Sequence, residues 1–215
     1  SFFDNIGDSL LLAKTLFPQL LQLSTLKDYK ENITDLLVTL VDSGFIKGKD
    51  YESYFPGIYV DAKVAWKKQQ AKEEKIMEAN NKKEAIHDET EVEDYSGNGN
   101  SFRLNNFAVL LMPFYEINNN IPAFFTRLLQ SKDDMVRMNA AVLLLRNQHK
   151  VADSVLQLLA ANDKRRGTLF NKLEKAGRLD LFPEAYKNQL ALARSYLVRQ
   201  LESEKMDAVV FLKKS

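Results

Sequence analysis

Apolar residues recur along this chain at intervals of three and four, the spacing that gathers them on one stripe of an α-helix, and strand-like alternation is almost absent. The pattern predicts helices over residues 5–16, 18–26, 29–43, 50–80, 103–115, 119–130, 133–147, 150–161, 165–176 and 181–205. Pro18, within LFPQLL, would cost about 3 kcal/mol inside a helix but nothing special in its first turn, so a break falls just before it, and Pro122 reads the same way. Gly44 and Gly177 each follow an amphipathic run and suit the left-handed residue that ends a helix. Residues 81–101, NKKEAIHDETEVEDYSGNGNS, depart from this. Few large apolar side chains occur there and the end alternates Gly with Asn, so the stretch reads as a flexible acidic linker between an N-terminal helical module, 1–80, and a C-terminal one, 102–215.

The chain also matches itself. LLVTLVDSGFI, 36–46, lies over LFNKLEKAGRL, 169–179, at an offset of 133, placing Leu36, Leu40, Gly44 and Ile46 opposite Leu169, Leu173, Gly177 and Leu179. With two residues deleted the match continues at 131: Tyr51 faces Phe182, Tyr59 faces Leu190, Ala62 faces Ala193, Gln69 faces Gln200, and Lys63 and Lys68 face Arg194 and Arg199. The shared order is helix, glycine, short aromatic segment, long cationic helix. A helix pair of this kind cannot bury its apolar face alone, so neighbours must stack. The expected fold class is therefore all-α, a right-handed stack of antiparallel helix pairs (an α-α superhelix), and the chain reads as a fragment of a larger repetitive protein.

Residues 124–163 carry a more specific pattern: a helix ending in Leu128-Leu129, a polar turn with Asp133 and Asp134, then Val136-Arg137 followed by Ala140, Ala141 and Leu144, and a second helix closing on Asn162-Asp163. This stretch resembles HEAT-like α-helical repeats. The resemblance implies a solenoid scaffold, with structural contacts between repeats at Asp134, Val136 and Arg137. It names an architecture and not a job, because that family serves many functions.

Composition mostly narrows the chemistry. With no cysteine, disulfides and thiolate chemistry are excluded, while the compartment stays open. No apolar run approaches the ~20 residues that span a bilayer, no signal peptide opens the chain, and its start at Ser1 reads as that of a fragment. The net charge of +1 conceals an asymmetry: residues 1–100 sum to −6, residues 101–215 to +7, and every arginine lies in the second part.

No nucleophile elbow, zinc-protease helix, phosphate loop or dinucleotide fingerprint occurs. His87 and His149 stand 62 positions apart, which makes a shared metal site implausible, and neighbouring acids such as Asp133-Asp134 do not face one another as paired catalysis requires. DYSGNGNSFRLN places Asp94, Ser96, Asn98, Gly99 and Asn100 at the early positions of a calcium-loop pattern, but its last position is Asn105, where such a loop needs a bidentate Glu.

Trp66 beside Lys67 and Lys68, and the run Lys164, Arg165, Arg166, are the candidate partner-binding residues, Trp66 having core packing as its plainer reading. The expected function is a non-catalytic scaffold that binds a protein or peptide, with no cofactor or metal. The alternatives are an accessory helical region of a larger enzyme and a nucleic-acid-binding module.

Overall fold

The computed structural model describes residues 10–23, 30–83 and 99–214, and among them every regular element is helical. The α-helices are α1 (Leu10–Thr15), α2 (Phe17–Leu23), α3 (Lys30–Asp42), α4 (Phe55–Lys83), α5 (Asn100–Leu111), α6 (Asn120–Leu129), α7 (Asp134–Arg146), α8 (Asp153–Ala161), α9 (Asp163–Lys175) and α10 (Gln189–Lys214). Pro18 and Pro122 sit in the first turns of α2 and α6, as their missing N–H groups demand. Gly44 and Gly177 take φ of +74° and +67°, ending α3 and α9 in the left-handed conformation. Two helices expected at 50 and 181 start later, at Phe55 and Gln189, each after a pair of short 3-10 turns. Near the second, Phe182 precedes Pro183 and is held extended at ψ 130°, since the proline ring disfavours the helical region for the residue before it.

By contact the chain divides into two units, Ser1–Val136 and Arg137–Ser215, with the division inside α7. Most of the expected linker, 81–101, lies outside the described residues.

In the first unit α1 and α2 lean on α3, whose Ile33, Leu36, Leu37 and Leu40 recur at helical spacing and are all buried. The largest helix contact is that of α4 with α5. These two run antiparallel: Asn100, opening α5, donates to the Ala65 carbonyl at 3.1 Å, while Phe114, just past its end, packs at a tilt of 48° against Phe55 at the start of α4, with ring centroids 4.7 Å apart. Tyr51, fully buried, meets Phe114 edge to face and donates from its hydroxyl to the Leu110 carbonyl at 2.8 Å. Gly48 lies under Pro113 so closely that an added Cβ would sit 2.8 Å from the proline Cβ.

The second unit joins α8 to α9 through one residue, Asn162, whose side chain accepts from the Lys164 amide at 2.9 Å and caps α9. Leu156, Leu159, Leu169 and Leu173 form its core, and Phe182 closes on Phe170 edge to face at 5.2 Å. α9 touches α10 where Gly167 leaves room: its amide donates to the Ser195 hydroxyl at 2.8 Å in a buried contact.

Candidate functional site

A cleft of about 240 Å³ opens between α3, α4 and α5 in the first unit. Its apolar wall is Val64 and Phe102, both well exposed, and its polar side comes from Asp35, Asp61, Lys68 and the Glu31–Arg103 ion pair. Asn106, buried on α5, donates to Asp35 at 2.6 Å. Burial pushes the Asp35 carboxyl above the usual carboxylate range, and the Asn106 bond opposes that shift by favouring the anion. Asp35 therefore has an amide for its partner, not a second titrating group. Among the described residues no group of three or more His, Asp or Glu side chains has the geometry to hold a metal ion.

The second feature is a face of α10. Leu190, Leu197 and Leu201 are 82%, 60% and 50% exposed, and at 100° per residue they fall within about 40° of one another around the helix. Tyr196, also exposed, is steadied by a 3.0 Å hydrogen bond from its hydroxyl to Asn171, and Arg194 pairs with Asp163 at 2.6 Å. Ser195, which meets Gly167, is on the opposite side. α10 thus buries one face against α9 and leaves an apolar stripe on the other. Scattered exposed leucines are ordinary, but three aligned on one helix face, beside an exposed tyrosine, form a patch.

The residues proposed from sequence for partner contact are distributed differently. Trp66 is only 7% exposed, so it belongs to the core and presents almost no surface to a partner. Arg166 is buried too, because its guanidinium satisfies backbone: it donates to the carbonyls of Ala160 at 2.7 Å, Ala161 at 3.2 Å and Ala191 at 2.9 Å, and pairs with Asp163 at 2.6 Å. The first two carbonyls are the free end of α8, which a planar fork of donors can close. Arg165 is half-buried beside it. Arg178 does the same for α7, donating to the Leu145 carbonyl at 2.7 Å.

At the turn before α7, Val136 and Arg137 are buried and Asp134 is the first helical residue, but the cap is made by its neighbour. Asp133 accepts from the amides of Met135 and Val136 at 2.9 and 3.3 Å and from the Ser101 hydroxyl at 2.7 Å. Gln69, buried on α4, reaches Glu73 at 3.1 Å, Asp133 at 3.4 Å and, through its oxygen, the Asn100 amide at 3.1 Å, while the Ser131 hydroxyl donates to Glu73. Sequence reading placed Asp133 in a polar turn and assigned the contacts to Asp134 instead. The available signal was a polar residue immediately before Asp134 and three before Val136, the N-cap spacing.

Of the calcium-loop pattern, positions 94–98 lie outside the described residues, Gly99 has an ordinary φ of −62°, and Asn100 opens α5. His87 also lies outside them. No described helix is long and apolar enough to cross a membrane. Comparison of the chain with protein-family models, with curated proteins and with solved structures returns no match.

Proposed function

We propose that this chain is a non-catalytic helical scaffold that binds a protein or peptide through the apolar face of α10. The observation that carries the reading is the uncovered stripe of Leu190, Leu197 and Leu201 on a helix whose other side is already packed. Covering a leucine side chain contributes about 1.5 to 3 kcal/mol, so sealing the stripe offsets a large part of the entropic cost of docking and the partner's remaining contacts supply the surplus. A HEAT-like stack of helix pairs is the architecture that fits the order shared by α3 to α4 and α9 to α10, each a helix, a left-handed glycine, two 3-10 turns and a long helix. Nucleic-acid binding is less well supported, since Arg166 and Arg178 already cap helix ends with their guanidinium groups.

Photo-crosslinking tests this reading. A photoreactive residue in place of Leu197 should capture discrete proteins from an extract of the source cells, and a Leu190→Glu, Leu201→Glu double variant carrying the same probe should lose them. Capture unchanged by the glutamates, or retention on heparin that salt abolishes with no protein captured, would reject it in favour of non-specific or nucleic-acid contact.

A further inference from the structure

We infer that the cleft between α3, α4 and α5 binds a small zwitterion with an apolar body, an apolar amino acid or dipeptide, held between Asp35 and Lys68. The scaffold reading concerns α10 alone, so either can fail without the other.

The helices leave this gap by the way they pack. α5 lies along both α3 and α4, whereas among the described residues α3 and α4 make no comparable contact with each other. α5 is thus the floor, and α3 and α4 are the walls. On the α4 wall Asp61, Val64, Ala65 and Lys68 recur at steps of three and four, the spacing of one helix stripe. At about 240 Å³ the space falls below the ~300 to 1,000 Å³ of sites that enclose drug-sized molecules, so it suits a small ligand.

Charge decides which one. Three acids, Glu31, Asp35 and Asp61, meet two bases, Lys68 and Arg103, around the opening, a balance that repels a phosphate-bearing ligand. Glu31 and Arg103 neutralise each other, and Asp61 has an interaction of its own within the chain. Asp35 and Lys68 remain, one on each wall, and among the described residues neither has an oppositely charged partner.

The Asp35 carboxylate is fixed in place, because the buried Asn106 amide donates to its Oδ1 at 2.6 Å and leaves Oδ2 for another donor. Burial holds that carboxyl against ionisation, and an ammonium set beside it would favour the anion. Lys68 is exposed and carries three donors, enough to hold a carboxylate. A ligand with a single charge would satisfy one wall and leave the other. One with both an ammonium and a carboxylate answers Asp35 and Lys68 together, adds no net charge and ties α3 to α4. Its body lies against Val64 and Phe102, the exposed apolar side chains of the same cleft.

The test titrates the whole chain with leucine and with leucyl-leucine, which carry the same two groups at shorter and longer separation. Amide chemical shifts around Asp35, Val64 and Asn106 should move saturably with at least one of them, and the melting temperature should rise with its concentration. Asp35→Asn and Lys68→Met keep side-chain size and remove charge, and each should weaken that ligand by roughly threefold to tenfold. Isoamylamine, the leucine skeleton without its carboxylate, should lose affinity in Asp35→Asn but not in Lys68→Met. Isocaproate, the skeleton without its ammonium, should do the reverse. A merely structural role for either residue would not produce this crossing. Lys68 is exposed, so Lys68→Met reports even where Asp35→Asn loses stability. The proposal is overturned by no saturation with either probe, by shifts confined to other parts of the chain, by binding indifferent to both substitutions, or by either analogue binding as tightly as the zwitterion.

Discussion

Asp133 shows how much one residue can hold. A single carboxylate caps α7 and receives Ser101 from α5 and Gln69 from α4, so the start of one helix is tied to two others. Asp133→Ala should cost about 1 to 2 kcal/mol from the cap alone, with more from the partners left unpaired. Faster hydrogen exchange at the Met135 and Val136 amides is the measurement that localises the loss. Tyr51 is governed by solvation instead. Burial, with the Asp50 charge adding to it, pushes its phenol well above the usual range. In the unfolded chain a tyrosine ionises near pH ~10, so between that pH and the folded value the native state holds a proton that the unfolded state has lost. Stability from this group is therefore full below pH ~10 and declines as pH rises beyond it. Denaturation followed by Trp66, the single tryptophan, should show this slope in the native protein and a flatter one in Tyr51→Phe, which also lacks the bond to Leu110.

At the scale of elements, what is local was readable. Helical spacing, Pro18, Pro122, Gly44 and Gly177 act within a few residues of themselves, and the structure has them as the sequence implied. What depends on distant partners was not. Arg166 sat in a run of basic residues that looks like surface, and only the folded chain brings a helix end to it, whereas the burial of Trp66 was the plainer reading of its sequence. The α10 stripe was legible as periodicity, but periodicity cannot say whether a face has found a neighbour. Two backbone positions test the local rules in opposite directions. Gly48→Ala should destabilise by about 1 to 3 kcal/mol, because a Cβ there collides with Pro113. Gln148, after α7, has φ of +65° without being glycine, so Gln148→Gly should stabilise by about 0.5 to 1 kcal/mol. Chemical denaturation of both variants checks the signs.

For the molecule as a whole, near-neutrality hides two opposed charges. Residues 1–136 sum to −6 and residues 137–215 to +7, so oppositely charged units of different copies attract one another when salt is low. Light scattering should detect net attraction at about 10 mM salt that fades by 150 mM, where screening acts over ~8 Å. If attraction persists at high salt, it is apolar in origin and the α10 face is the place to look. The contact between Gly167 and Ser195 bears on a different history. Any side chain at 167 would press a Cβ to within 3.1 Å of the serine oxygen, so neither position is free to drift by itself. Among relatives of this chain the two sites should be inherited as a couple, a bulkier residue at one appearing only beside a glycine or alanine at the other. That linked substitution would identify the α9–α10 joint in sequences with no other recognisable likeness.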